Sequence, residues 1–248
     1  MKATKWLLLW FLLSLTAEGL AEARSGYTFQ SNDVQRMQDD DFRNPGMLWV
    51  DKGQQLFYQQ AGTSKKACSD CHDDLSGTFL SMPSVNTHVG ELVNLTTQIQ
   101  HCRSEHQGAE PITYESETAL ALTAWIGHQA RGQHFEDVPE ALQSALSAGR
   151  DYFYRRKGQY NLGCHHCHER YVGHQLRGDL LSQGQSNPYP IYRLEWQTMG
   201  SLHRRFRSCD LGVRAQPPEL GSEQYIQLEL YLRERARTLA IETPGVRR

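Results

Sequence analysis

A C-x-x-C-H motif occurs twice in this chain of 248 residues and constrains its fold more than any other feature. The copies are Cys68-Ser69-Asp70-Cys71-His72 and Cys164-His165-His166-Cys167-His168. Two thiols at this spacing can form thioethers with the vinyl groups of one haem, and the next imidazole can ligate the iron. The motifs therefore predict two covalently bound haem c groups, with thioethers at Cys68, Cys71, Cys164 and Cys167 and iron ligands at His72 and His168. A zinc ribbon fits less well, because it needs no histidine after each cysteine pair.

The haem motifs lie inside a longer repeat. The segment 53–58 (Gly-Gln-Gln-Leu-Phe-Tyr) begins 15 residues before the first motif, and 149–154 (Gly-Arg-Asp-Tyr-Phe-Tyr) begins 15 residues before the second. Downstream, Cys102 and Cys209 lie 107 residues apart, and a Ser-Glu pair recurs at an offset of 106. Repetition of a unit of this size predicts one small domain for each haem.

The sequence around the motifs favours helices. Pro139 is suited to the start of one helix, and Tyr225, Leu228 and Leu232 form the i, i+3, i+7 stripe of another. Alternation typical of strands is scarce. Residues 187–192 are expected to be extended or to form a turn, because residues before proline avoid the helical region.

Together these patterns predict an all-α fold of two tandem cytochrome c-like domains, each around one covalently bound haem and joined to long irregular loops. We expect the N-terminal domain at residues 24–135 and the C-terminal domain, which carries the active site, at residues 136–248. The boundary is expected in the polar, glycine-bearing stretch 127–134. Only 39% of residues are hydrophobic and the mean hydropathy is −0.62, so haem is expected to supply part of the apolar interior.

The N-terminus predicts an exported protein. Residues 1–5 are basic, residues 6–15 are apolar, and Ala21-Glu22-Ala23 is a small-x-small cleavage site. This order is typical of a signal peptide, here residues 1–23, and the apolar run is too short for a membrane span. The net charge of −2 argues against binding nucleic acid through a global positive charge.

The second axial ligand of each iron is expected to be a cysteine. Cys102 and Cys209 occupy equivalent places in the repeat, whereas the methionines of the mature chain show no common placement relative to the motifs: Met37, Met47, Met82 and Met199. Thiolate ligation would lower the reduction potential, and methionine would raise it. A disulfide between Cys102 and Cys209 is the other interpretation of two cysteines in an exported protein.

The surroundings of Cys209 point to sulfur chemistry. If this segment is helical, Arg205 lies four residues earlier on the same face, within a run of arginines that Cys102 lacks. A nearby guanidinium lowers a thiol pKa, and it binds oxyanions in bidentate fashion. The alternative for the arginine run is a solvated helix face or a docking patch.

Four segments carry a resemblance to a known family. The chain resembles the SoxA family, the A subunits of the periplasmic SoxAX cytochromes of bacterial thiosulfate oxidation, at residues 187–197, 203–209, 214–218 and 244–248. The resemblance spans the mature chain and is strongest in its second half. Because the first C-x-x-C-H motif is present, the chain resembles the dihaem form of the family.

The resemblance implies a role for each candidate residue. His72 and Cys102 would ligate the first haem iron, and His168 and Cys209 the second. Cys209 would be the catalytic group, modified to a persulfide, and Arg205 would line the substrate site. The implied activity is that of an L-cysteine S-thiosulfotransferase, which couples thiosulfate to a cysteine of a SoxYZ-type sulfur carrier protein and passes two electrons to cytochrome c. The implied partner in a heterodimer is a SoxX-type monohaem cytochrome, and the implied location is the periplasm.

The main alternative is a dihaem c-type electron carrier without substrate chemistry, which would favour methionine ligation and higher potentials. A dihaem peroxidase is a weaker alternative, because it needs an open iron site.

Overall fold

The computed structural model describes residues 22–248, so nearly all of the predicted signal peptide (residues 1–23) lies outside the described residues. The helices are α1 Asn32–Asp39, α2 Met47–Tyr58, α3 Ser76–Ser81, α4 Leu95–Cys102, α5 Glu117–Gln129, α6 Gln143–Tyr154, α7 Leu202–Gly212 and α8 Glu223–Arg235. The strands are β1 Ser84–Asn86, β2 Glu91–Val93, β3 Gln175–Leu176, β4 Asp179–Leu180, β5 Ile191–Arg193, β6 Thr198–Gly200 and β7 Gly245–Arg247. Within residues 22–248, no helix is long and apolar enough to cross a membrane.

The sequence repeat corresponds to two similar pairs of packed helices. Helix α2 packs on α5, and helix α6 packs on α8. A Cβ atom added at Gly53 would lie 2.0 Å from the carbonyl oxygen of Ala121, and one at Gly149 would lie 1.9 Å from that of Gln227. Both helix pairs therefore cross at a glycine. The two glycines are 96 residues apart, and the carbonyl groups that they approach are 106 residues apart, which are the offsets found in the sequence.

Each helix pair contributes to its own hydrophobic core, and each core includes the first cysteine of a haem motif. Cys68 packs against a first core whose buried members include Phe57, Phe79, Leu95, Ile99, Leu122 and Ile126. Cys164 packs against a second core whose buried members are Tyr152, Phe153, Leu202, Phe206, Tyr225, Leu228 and Leu232. The predicted stripe of α8 (Tyr225, Leu228 and Leu232) is thus buried, as expected.

The fold is mostly helical, but the prediction of an all-α fold is wrong in detail. Strands β5 and β6 pair antiparallel, and the C-terminal strand β7 pairs parallel to β5 with Ile191 opposite Gly245. Two further antiparallel hairpins join β1 to β2 and β3 to β4. The strands have two or three residues each, too few to show the alternation that identifies a strand from sequence. Residues 187–192 were predicted to be extended or to form a turn. In the structure, residues 187–188 form a turn and residues 191–192 belong to β5.

The C-terminal residues return to the start of the chain. Asn44 Nδ2 donates to the carbonyl oxygen of Pro244 at 2.9 Å, and the backbone N–H of Val246 donates to Gln38 Oε1 at 2.9 Å. Ile241 is itself a member of the first hydrophobic core. The C-terminal segment therefore joins the two halves: residues 241, 244 and 246 contact the half with the first haem motif, and β7 pairs with β5 of the second half.

The stretch predicted to separate the two halves, residues 127–134, begins inside a helix. Helix α5 continues to Gln129, and a Cβ atom at Gly127 would lie 2.6 Å from Phe79 Cε2. This glycine therefore permits close packing rather than a turn. The turn follows at Gly132, which has φ +82° and donates its N–H to the carbonyl oxygen of Ile241 at 2.9 Å.

Candidate haem and sulfur site

The second C-x-x-C-H motif ends in a π-helical turn, His166–Arg170, which fixes the His168 ring. Nδ1 of His168 lies 2.8 Å from the carbonyl oxygen of Ser182, so Nδ1–H donates there and Nε2 keeps its lone pair for a metal. Gly184, at φ +69°, closes over the ring, because a Cβ atom there would lie 2.9 Å from Cγ of His168. The ring is therefore held in one orientation and one tautomer.

Helix α7 carries Cys209 and Arg205, as the sequence predicted. Ser201 caps the helix, because its Oγ accepts from the backbone N–H of Arg204 at 3.0 Å. Leu202 and Phe206 bury one face of the helix in the second core. The cap and this apolar face explain why an arginine-rich segment forms a helix here.

The electrostatics at Cys209 favour the thiolate. Burial raises its pKa, but the Arg205 guanidinium, with a further contribution from the nearby His168, more than offsets burial and lowers the pKa to about 7. In turn, the nearby Cys209 raises the pKa of Arg205. At Cys164 burial also raises the pKa, but there it outweighs the other contributions, and the pKa rises to about 12. The structure thus brings the predicted residues Cys209, Arg205 and His168 together.

Asp210, which the sequence analysis did not identify, anchors the helix directly after Cys209. Its buried Oδ2 accepts from the hydroxyl groups of Tyr152 at 2.6 Å and Tyr225 at 2.8 Å. Its Oδ1 pairs with Lys157 Nζ at 2.5 Å. These contacts tie α7 to α6 and α8. The one sequence signal for Asp210 is its position: it is an acidic residue directly after Cys209, a predicted iron ligand.

Two further residues that the sequence analysis did not identify as site residues are Tyr189, near Cys209 and Arg205, and Arg193, near Arg205. Burial raises the pKa of Tyr189, and the proximity of Arg205 and Cys209 affects it in opposite directions. Burial lowers the pKa of Arg193, and Arg205 lowers it further. Arg193 is only 5% exposed and pairs with Asp179 at 2.9 Å. No local sequence pattern identifies either residue, because both lie outside α7 and meet Arg205 only in the folded chain.

A buried polar network connects the two halves behind α7. His203 is fully buried, accepts the Gly221 N–H at its Nδ1 at 3.1 Å, and has Nε2 2.9 Å from Glu229 Oε2. The same Glu229 oxygen accepts from Asn94 Nδ2 at 2.7 Å. Asn94 caps helix α4, which ends at Cys102. The helices that carry Cys102 and Cys209 are therefore held by one set of hydrogen bonds.

The first half brings Cys68 and Cys102 close together. Burial raises the pKa of Cys68, and the neighbouring Cys102 adds to this effect. Gln98 Nε2 lies 3.3 Å from the Cys102 sulfur. His72 and Cys71 are exposed. Within the described residues, no hydrogen bond or ion pair joins His72 to Cys102, so their predicted pairing on one iron stays a prediction.

The residues of the second half fit a covalently bound haem c. The oriented His168 imidazole and the Cys209 thiol would ligate the iron of such a haem, and Cys164 and Cys167 of the same motif would supply the two thiols. Across residues 22–248, no group of three or more His, Cys, Asp or Glu side chains could hold a metal ion, whereas haem iron takes only two side-chain ligands.

The other interpretations of the cysteines and methionines lack this geometry. All six cysteines are free thiols, so the disulfide between Cys102 and Cys209 is absent from the structure. Met199 is fully buried in a separate cluster with Val50, Leu120 and Ala124, and Met82 packs on the first core.

Comparisons with known proteins agree with this site. Residues 52–135 match the model of the SoxA/TsdA cytochrome c domain. The chain is 37% identical to the L-cysteine S-thiosulfotransferase subunit SoxA of Pseudaminobacter salicylatoxidans, over 91% of this chain and 81% of that protein. It is 36% identical to the subunit of the same name from Rhodovulum sulfidophilum, over 93% of this chain and 82% of that protein. The crystal structure of SoxXA from P. pantotrophus superposes with a TM-score of 0.86 at 31% identity, over 90% of this chain and 86% of that chain. The chain therefore belongs to the SoxA family.

Proposed function

We propose that this chain is the SoxA-type subunit of an L-cysteine S-thiosulfotransferase with two covalently bound haem c groups, located in the periplasm. Its two halves, residues 24–135 and 136–248, would each be a cytochrome c-like domain. The observation that carries the proposal is the convergence of Arg205, His168 and Cys209, with the pKa of the thiol lowered to about 7. The curated relatives named as this enzyme support it.

The reaction joins two sulfur atoms and releases two electrons. A new S–S bond forms between the outer sulfur of thiosulfate and the cysteine sulfur of a SoxYZ-type carrier protein. The thiol proton of that cysteine goes to solvent, and the two electrons pass to a cytochrome c acceptor. When bound, the haem groups supply one-electron oxidation and reduction.

The chain's own residues bind the substrate and hold the reactive sulfur. Arg205 binds the thiosulfate dianion through its planar guanidinium, which matches an oxyanion in bidentate fashion. A thiol with a pKa of about 7 is about half ionised at neutral pH, so Cys209 presents a nucleophilic sulfur beside that anion. In the proposed role Cys209 is modified to a persulfide. Its terminal sulfur first forms an S–S bond with the outer sulfur of thiosulfate as the two electrons leave. The carrier cysteine thiolate then attacks that outer sulfur, which breaks this bond and regenerates the persulfide. Ser182 keeps the proton on Nδ1 of His168, so that Nε2 would be free to ligate the haem iron.

A SoxX-type monohaem cytochrome is the proposed partner subunit. The solved structure that superposes on this chain is that of SoxXA from P. pantotrophus. The match covers 90% of this chain. Nearly all of the surface that this chain offers to a partner is therefore built on the fold that it shares with that solved structure.

The test compares two cysteine variants of the mature holoprotein with its partner subunit. Cys209→Ala should retain both haems, counted by mass spectrometry, and should lose thiosulfate coupling to the carrier cysteine. Cys102→Ala is the matched control, because it removes the equivalent thiol from the other half and should keep coupling. Normal coupling by Cys209→Ala would show that the role assigned to Cys209 is wrong.

A dihaem electron carrier without substrate chemistry is the remaining alternative. It predicts that the wild-type protein is reduced and reoxidised normally but never joins thiosulfate to the carrier cysteine. The electron-spin resonance of the ferric protein separates the two ligand sets, because thiolate-bound low-spin haem has a signature that methionine-bound haem lacks.

A further inference from the structure

An open groove of about 610 Å³ lies in the second half, outside the site built around Cys209. One wall is the loop that leads into the second C-x-x-C-H motif, and the other is the segment that follows α7. Its lining includes four basic side chains, Arg155, Arg156, Lys157 and Arg214, and no acidic side chain, so the groove is strongly positive.

Three guanidinium groups in the groove are available to a ligand. Arg155, Arg156 and Arg214 are exposed, and none of them forms an ion pair with any residue that the structure describes. Lys157 differs, because its ammonium group is already paired with Asp210. The free positive charge of the groove therefore resides on three arginines, the residue type best suited to binding carboxylates.

The arginines are held in place before any ligand binds. The Arg155 guanidinium lies 4.9 Å from the centroid of the Tyr152 ring, and that of Arg214 lies 5.0 Å from the Tyr160 ring. Arg156 Nε donates to the carbonyl oxygen of Asn161 at 2.8 Å. Side chains that are already ordered lose less conformational entropy when they bind.

The first half provides an internal comparison, because it has the same backbone arrangement without arginine at the three equivalent positions. The N–H of Gln159 donates to the carbonyl oxygen of Arg214 in the second half, and the N–H of Thr63 donates to that of Gly108 in the first. At the offsets of this repeat, Arg155 and Arg156 correspond to Gln59 and Gln60, and Arg214 corresponds to Gly108: residues 155, 156 and 214 against 59, 60 and 108. The backbone arrangement therefore does not require arginine at these positions, which leaves the three arginines of the second half to be explained by binding.

The groove is close to the reactive sulfur but is not part of its site. Lys157 lines the groove and pairs with Asp210, the residue after Cys209. A partner held in the groove is therefore brought to the half of the molecule where the thiolate is.

We propose that this groove binds an acidic segment of a protein partner, through carboxylates that pair with Arg155, Arg156 and Arg214. A volume of about 610 Å³ is far more than a single small dianion fills and is within the range of pockets that hold ligands of several hundred daltons, such as a short peptide. Overall attraction does not explain such binding, because the whole chain has a net charge of −2.

The test measures binding of a fluorescent peptide of six glutamates to the mature holoprotein at low ionic strength. The groove variant carries Arg155→Gln, Arg156→Gln and Arg214→Gln. The control variant carries Arg36→Gln, Arg43→Gln and Arg237→Gln, which removes the same charge from surface ion pairs elsewhere. Unchanged haem absorption spectra establish that both variants are folded. The groove variant should bind the peptide about 10-fold more weakly than wild type, and the control variant less than about 2-fold more weakly.

Three outcomes would overturn the proposal. The first is an equal loss of affinity in both variants, which would mean that only net charge matters. The second is equal binding of a peptide of six glutamines, which would mean that carboxylates are not recognised. The third is tighter binding of a single-stranded DNA oligonucleotide than of the acidic peptide, which would identify a different class of partner. Peptide binding is measured without turnover, so none of these results depends on the thiosulfate reaction.

Discussion

Gly149→Ala tests whether close contact between α6 and α8 maintains the second half. The added Cβ atom would lie 1.9 Å from the carbonyl oxygen of Gln227, and ordinary contact begins near 3.4 Å, so the helices have to separate by about 1.5 Å. A gap of that size forfeits much of the dispersion energy along the contact. Overpacking of this kind costs up to about 3 kcal/mol, and the higher helix propensity of alanine returns about 1 kcal/mol. We therefore expect a net loss of about 2 kcal/mol.

The assay is thermal unfolding of the holoprotein, followed by circular dichroism and by haem absorption. For a chain of this size, a loss of about 2 kcal/mol lowers the Tm by about 4–8 °C. Gly53→Ala should behave alike, because its Cβ atom would lie 2.0 Å from the carbonyl oxygen of Ala121. Gly212→Ala is the matched control: it is helical with nothing within 4 Å, so it should be neutral or raise the Tm. A Gly149→Ala protein as stable as wild type would refute the reasoning.

Three further substitutions test individual contacts. Asp210→Asn leaves Lys157 without its buried partner and should lower the free energy of unfolding by about 3–5 kcal/mol; an unchanged urea midpoint would contradict this. Arg205→Lys keeps the charge but loses the planar fork, so the KM for thiosulfate should rise in coupling assays while both haems are retained; an unchanged KM would place the anion elsewhere. Burial and the nearby Arg131 lower the pKa of His128, so its contribution to stability is present above pH 6.5 and is lost as the pH falls through the lowered folded-state pKa. His128→Gln should therefore flatten the dependence of Tm on pH in this range, and a profile like that of wild type would exclude His128 as the source.

Local spacing was enough to predict the parts of the site that lie close together in sequence. The two C-x-x-C-H motifs predict the haem anchors, and the repeat identified the equivalent positions of the two lone cysteines. The separation of four residues between Arg205 and Cys209 on one helix correctly predicted that the two side chains meet. In each case the chemistry is set by neighbours within one or two helical turns, which a sequence records directly.

The remaining features depend on contacts between distant segments. Asp210 meets Tyr152 across 58 positions of sequence, and Asn94 meets Glu229 across 135. Strands of three residues, such as β5 and β7, carry too few positions to reveal a period of two. Their pairing depends on the path of the whole chain, so neither composition nor periodicity could have predicted it.

The return of the C-terminus to the first half has a consequence for the order of folding. Large chains generally fold domain by domain. Here the first core includes Ile241, and Asn44 and Gln38 bond to residues 244 and 246. The N-terminal half therefore lacks part of its native packing until residues 241–246 join it. The two halves cannot complete their native structure independently of each other.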